Sequence, residues 1–169
     1  MIHARFAHTN IVADDWRRLA SFYENVFGCI PLPPERSESG KWLEDGTGVA
    51  SAEISGMHLR LPGHGDRGPT LEIYQYGHAR KRQETAANRL GLGHVAFEVE
   101  DVPTAREAVL AAGGHELGQI VTARIPGAGT ITFVYVTDPE GNIIELQSWS
   151  ALGHHLGKRC TIQTTEEAD

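Results

Sequence analysis

Four residues in this chain are of types that together could do chemistry: His8, Glu72, His94 and Glu145. Each lies in a short run of strand-like residues, Phe6 to Val12, Thr70 to Tyr76, Leu92 to Val99 and Asn142 to Trp149. Side chains alternate across a strand, so residues two apart share a face. Leu71 with Ile73, Ile144 with Leu146, and Val95 with Phe97 and Val99 form apolar rows suited to burial, which turns Glu72, Glu145 and His94 the other way. His8 shares its row with Asn10, opposite Ala7, Thr9 and Ile11. Two imidazoles and two carboxylates converging on one concave face suit a single divalent ion, with Ni, Co, Zn, Mn and Fe all acceptable and positions left for water or substrate. A lone strand His or Glu is usually a surface or hydrogen-bonded residue; the matched placement of four argues for ligands. Tyr74, Tyr76 and Trp149, with Asn10 and Gln147, fall on the same faces and would line the pocket.

What positions these residues is a repeat. Each opening run leads into an amphipathic stretch. In the first, Trp16, Leu19, Phe22, Tyr23 and Val26 recur at three and four, with Asp14 as N-cap and Gly28 as stop. In the second, Asp101 caps, Pro103 sits in the first turn, Ala105, Ala108, Val109 and Ala112 form the stripe, and Gly113-Gly114 ends it. Short strand-like runs broken by Gly and Pro follow both helices, and Asp138-Pro139-Glu140-Gly141-Asn142 is a strong turn signal. Each half therefore reads βαβββ. Residues 1 to 76 form the first module, 77 to 91 a connection, 92 to 149 the second module, and 150 to 169 a polar, loosely ordered tail. The first half is longer between its His and its Glu, and the excess is expected as a loop or lid within Pro31 to Gly48.

Composition narrows the function further. With 40% hydrophobic and 22% charged residues, the 169-residue chain is that of an ordinary globular protein. A net charge of -7 argues against nucleic-acid binding, which needs a basic surface. The one basic run, Arg80 to Arg82, reads as a solvated linker or helix face. No signal peptide follows Met1 and nothing approaches the roughly 18 apolar residues of a membrane span, so a cytoplasmic protein without a membrane partner is expected. Cys29 and Cys160 form neither a metal pair nor a disulfide framework. His3, His58, His64, His78, His115 and His154-His155 fall at loops, strand ends or the tail and are not read as ligands; the adjacent pair could catch adventitious metal.

The segments AHTNIVADDWRRLASFYENVFGC, TLEIYQY, LGHVAFEVEDV and DPEGNIIELQSW resemble the signature segments of the vicinal oxygen chelate superfamily, which spans glyoxalase, bleomycin resistance and extradiol dioxygenase proteins. The resemblance covers about residues 4 to 149 and implies an α+β fold, with two tandem βαβββ modules forming a cupped mixed sheet and helices on its outer face. It also implies metal ligands at His8, Glu72, His94 and Glu145. Glu72 makes the likeness nearest to glyoxalase I-like (lactoylglutathione lyase-like) proteins, implying a lyase/isomerase that moves a proton next to a carbonyl through a metal-bound enediolate, with Glu145 as base and Glu72 returning the proton. Alternatives are an Fe(II) ring-cleaving dioxygenase, a methylmalonyl-CoA-epimerase-like enzyme, and a non-catalytic drug-binding resistance protein. Val12 and Tyr76 stand where glyoxalase I places an Arg and an Asn against glutathione, so the substrate is expected only to be a small molecule with vicinal oxygens. A homodimer is implied, with the site in one chain or shared between two.

Overall fold

A computed structural model describes residues 1–150; the tail from 151 onward, with Cys160 and His154-His155, lies outside the described residues. The first module runs β1 (His8–Val12), α1 (Trp16–Phe27), β2 (Ile30–Ser39), α2 (Lys41–Thr47), β3 (Glu53–Arg60) and β4 (Thr70–Tyr76). The second runs β5 (Val95–Glu98), α3 (Val102–Ala111), β6 (His115–Glu116), β7 (Val121–Ile125), β8 (Gly129–Thr137) and β9 (Ile143–Ser150). The architecture is mixed α+β, in two sheets rather than one continuous one. The first has strand order β1-β4-β3-β2; the second has β5-β9-β8, with β6 and β7 both pairing along the far side of β8. In each, the module's opening strand lies parallel to its closing strand: His8 to Val12 registers with Thr70 to Tyr74, and Val95 to Glu98 with Ile144 to Gln147. Among the described residues no helix is long and apolar enough to cross a membrane.

The helices form where the pattern places them. Asp15, rather than Asp14, caps α1 by accepting from Arg18 N, and Gly28 ends it in the left-handed conformation. Asp101 accepts from Thr104 N to start α3. On α3 the buried stripe is narrower than expected: Val102 and Val109 are buried while Ala108 and Ala112 are exposed, because only the Val102–Ala105–Val109 edge meets the sheet. The greater departure is in residues 31 to 48. Ile30–Ser39 is an edge strand on β3, despite its prolines, with a register shift between Leu32 and Arg36. An edge strand tolerates proline because one row of its backbone groups needs no partner. The extra length of the first module therefore sits in residues 40 to 52, which carry α2, where the second module has only the turn from 126 to 128.

One core joins the two modules. Leu19, Tyr23, Leu71 and Ile73 from the first pack in the same cluster as Phe97, Val109, Val134, Ile144 and Leu146 from the second. The rings of Phe27 and Phe97 stack 3.9 Å apart. Fully buried Asp138 fixes the turn into β9: its Oδ1 accepts from the backbone N–H of Glu140 and Asn142, and its Oδ2 from Asn142 Nδ2 and, across the modules, from the Tyr23 hydroxyl at 3.0 Å. Burial, then the charge of Asp138, drives the Tyr23 phenol well above its ordinary pKa, so it stays a donor. Glu140 reaches back to accept from Asp14 N and Asp15 N at the start of α1, where a negative charge complements free N–H groups. Arg82 is not simply solvated: it donates to Gly141 O and Asn142 Oδ1, tying the connection to the same turn.

Tyr23→Phe would strip one donor from a buried carboxylate. Hydrogen bonds to charged groups are worth about 1.5–3 kcal/mol, and one kcal/mol moves the melting temperature of a chain of this size by about 2–4 °C. Thermal unfolding should show a drop of several degrees with the fold retained; an unchanged melting temperature would mean that this contact contributes nothing.

Candidate metal centre

The faces turned away from the core carry the polar residues, as the alternation requires. In the first sheet, direct cross-strand partners set Asn10 beside Glu72 and His58 opposite Glu72, with Val12 and Gly56 flanking Tyr74. Glu72 is the hub. Its Oε2 accepts from Asn10 Nδ2 at 2.8 Å and lies 3.5 Å from His8 Nε2, while its Oε1 lies 2.9 Å from His58 Nε2. The His8 and His58 rings meet edge to face with centroids 5.4 Å apart. The other ring nitrogen of His58, Nδ1, is 2.9 Å from Thr70 Oγ1. Burial is the largest influence on His58 and pulls its pKa below the ordinary value; Glu72 opposes this, and His8 and Arg36 add to it. A neutral imidazole is the form that can bind a cation. Burial and then Glu72 push the Tyr74 phenol up to about 12.

In the second sheet His94 stands just before β5, with Nε2 2.9 Å from Glu145 Oε2. Tyr135 is the cross-strand partner of Glu145, its ring centroid 5.0 Å from that of His94; burial, then the charge of Glu145, raises its pKa. Gln147 accepts from Trp149 Nε1 at 3.1 Å, and the indole remains 40% exposed. Tyr74 and Tyr76 pack against Leu43, Ala52 and Ile54, so α2 covers one flank of the polar face of the first sheet.

The four sequence-predicted ligands thus stand as two imidazole–carboxylate pairs, one per module. Among the described residues, the only set of three His, Cys, Asp or Glu with ligand atoms all within 4.8 Å of one another is His8, His58 and Glu72. His94 and Glu145 do not join it. An open cleft of about 310 Å³ runs between β1 and the segment leading into β5, and Asn10, Val12, Arg82, Arg89, His94 and Asn142 are among the residues along it. His58 lies outside the ligand set that the sequence predicts. Its signal is the antiparallel register of β3 on β4, which puts it opposite Glu72 and cannot be read from spacing within one strand. Two imidazoles and a carboxylate so close together fit a borderline divalent cation.

Residues 5–146 match the family described as Glyoxalase/Bleomycin resistance protein/Dioxygenase superfamily. The chain belongs to this superfamily. A probable lactoylglutathione lyase of Vibrio parahaemolyticus is 28% identical over 149 residues, covering 86% of this chain and 91% of that protein. One of Vibrio cholerae is 28% identical over 152 residues with the same coverage. A glyoxalase family protein from Bacillus cereus superposes with a TM-score of 0.67 at 18% identity, over 89% of this chain and 96% of its own. A genomically encoded fosfomycin resistance protein from Listeria monocytogenes, complexed with Mn(II) and sulfate, gives 0.52 at 17% identity, over 89% and 95%. These structural likenesses establish the fold. Superfamily members of this kind act on small molecules and use divalent metals.

The polar face of the first sheet has little slack at Gly56. A Cβ there would come 2.0 Å from Ile73 O and 2.4 Å from Tyr74 Cδ1. Gly56→Ala should force β3 and β4 apart, cost about 1–3 kcal/mol as other overpacked sites do, and disturb Tyr74. Urea unfolding with near-UV circular dichroism checks both; a variant equal to the parent in both would refute the close packing.

Proposed function

We propose that this superfamily member is a metal-dependent lyase/isomerase, glyoxalase I-like in its chemistry, that moves a proton next to a carbonyl in a small substrate with vicinal oxygens. The observation that carries the reading is the matched pairing: His8 with Glu72 and His94 with Glu145 occupy equivalent places in the two halves of the repeat, each pair already in contact. In this reading these four residues hold one divalent ion, Ni, Co, Zn, Mn or Fe. When bound, the cation would supply Lewis acidity that stabilises negative charge developing on the substrate oxygen. Glu145 takes the proton from carbon, and Glu72 returns it on the opposite face. Asn10, by donating to Glu72 Oε2, orients that carboxylate. Tyr74, Tyr76, Gln147 and Trp149 wall the pocket.

The names of the Vibrio relatives favour a hemithioacetal as substrate, with a 2-oxoacyl thioester or another hydroxycarbonyl compound as the wider class. Val12 is 49% exposed and supplies no charge for glutathione, which favours a substrate whose tail is not held by ionic contacts at that position. Glu145→Gln should keep the metal and lower turnover by at least the ~100-fold that general-base loss costs, followed as solvent-deuterium exchange at the substrate carbon by NMR. Full exchange in that variant would remove Glu145 as the base.

Because the two pairs are not gathered into one set within the chain, we further propose that they meet across a homodimer, the first module of one copy facing the second module of the other. A two-fold axis would then build two identical sites. Mixing inactive His8→Ala and Glu145→Ala proteins under subunit exchange should restore activity, since each mixed dimer then carries one site free of both substitutions. No recovery from verified mixed dimers would place the whole site in a single chain.

A further inference from the structure

The geometry points to His58 as a positioning residue that clamps the carboxylate of Glu72, with Thr70 holding the imidazole from behind. This rests on the four-residue site proposed above, and it adds a side chain that acts on the cation through Glu72 rather than by binding it. The repeat already supplies two imidazoles and two carboxylates, and the Nε2 of His58 is spent on Glu72.

Glu72 lies on β4, the strand between β1 and β3, and is held from both neighbours. From β1, Asn10 Nδ2 donates to Oε2 at 2.8 Å. From β3, the cross-strand partner His58 sets its Nε2 2.9 Å from Oε1. An ionised carboxylate only accepts, so this nitrogen carries the hydrogen. On the far side of the ring, Nδ1 is 2.9 Å from Thr70 Oγ1, a hydroxyl that can donate or accept as the ring requires. Flipping the imidazole would break both bonds, and the side chains of His58 and Glu72, 21% and 13% exposed, are sheltered enough to strengthen them. With Oε1 fixed in this way, Oε2 is the oxygen that faces His8, 3.5 Å from its Nε2. Glu72 therefore offers an ion one oxygen in a set direction.

The second module lacks the clamp. Glu145 holds the matching place on β9, but its partner on β5 is Ala96, which has nothing to donate, and its partner on β8 is Tyr135. Among the described residues its carboxylate makes one side-chain polar contact, with His94, itself a ligand in the four-residue reading. Once His94 turns to an ion, Glu145 keeps no tie, whereas Glu72 keeps two. The unequal support suits unequal duties: a set donor at Glu72 and a freer carboxylate at Glu145, the proposed base. Groups that orient a metal ligand from behind recur in metal sites, and their loss weakens metal binding about 10–100-fold.

The test titrates Co(II) into the full chain, read by calorimetry and by visible absorption, with far-UV circular dichroism to confirm folding. The unsubstituted protein should bind one Co(II) per chain. The amide nitrogen of Gln reaches about as far as the Nε2 of an imidazole, and that of Asn only as far as Nδ1, so the two amides separate this donor from a general need for a polar residue at position 58. His58→Gln should bind Co(II) within a few-fold of the unsubstituted protein and with the same spectrum. His58→Asn should bind about 10–100-fold more weakly. Undiminished affinity in His58→Asn, or equal losses in the two variants, would overturn the positioning role. A changed Co(II) spectrum in His58→Gln would also overturn it, by making His58 a ligand. Should His58→Asn fail to fold, Thr70→Val keeps the donor but frees the ring: affinity should fall, and an unchanged value would count against the clamp. If the unsubstituted protein binds no Co(II), the four-residue reading itself fails and this role with it.

Discussion

The structure depends on the buried carboxylate of Asp138. An ionised group without exposure survives only if its lone pairs are filled, and here two backbone amides, one side-chain amide and one phenol fill them. Three of those donors belong to the turn itself; the fourth, Tyr23, comes from the other module. The contact therefore sets the start of β9, and with it Glu145, relative to α1 and the sheet that carries Glu72. Glu140, two residues on, adds a second tie by accepting from the backbone N–H groups of Asp14 and Asp15, which lead into α1.

Around that anchor the apolar rows of both sheets share a single cluster with α1 and α3. Each inward row buries Leu or Ile at 0% exposure, and the alternate positions are forced outward with their polar groups. Glu72 and Glu145 remain mostly buried without lying in the core because imidazoles satisfy them. Such an arrangement costs less than an isolated carboxylate, and it also keeps nitrogen and oxygen donors close together before any ion arrives.

The superfamily supports several chemistries on one scaffold, and the fold does not choose among them. What this chain offers for chemistry lies on the polar faces: Glu at 72, His58 beside it, Tyr135 in the matching place of the second half, and apolar Val12 at the cleft. The α2 segment adds an asymmetry of its own, covering Tyr74 and Tyr76 in one module while the other has only a short turn between β7 and β8 at that place.

Much of this was legible in the residues. Alternation in Thr70 to Tyr76 and Asn142 to Trp149 gave the buried and polar rows correctly, and α1 and α3 followed from spacing, with the cap of α1 one residue beyond the expected Asp14, because these features depend on neighbours within a few residues; α2 was not among them. The strand at 30 to 39 was not legible: its prolines signal a loop, and only hydrogen bonding to β3 makes it an edge strand. Nor was the role of Arg82, whose partners Gly141 and Asn142 are distant in sequence. The sequence by itself determined the repeat, the faces and the donor types. Tertiary structure alone decided that His58 stands against Glu72 and that the two imidazole–carboxylate pairs remain separate within one chain, because cross-strand register and module packing are set by contacts that no local pattern encodes.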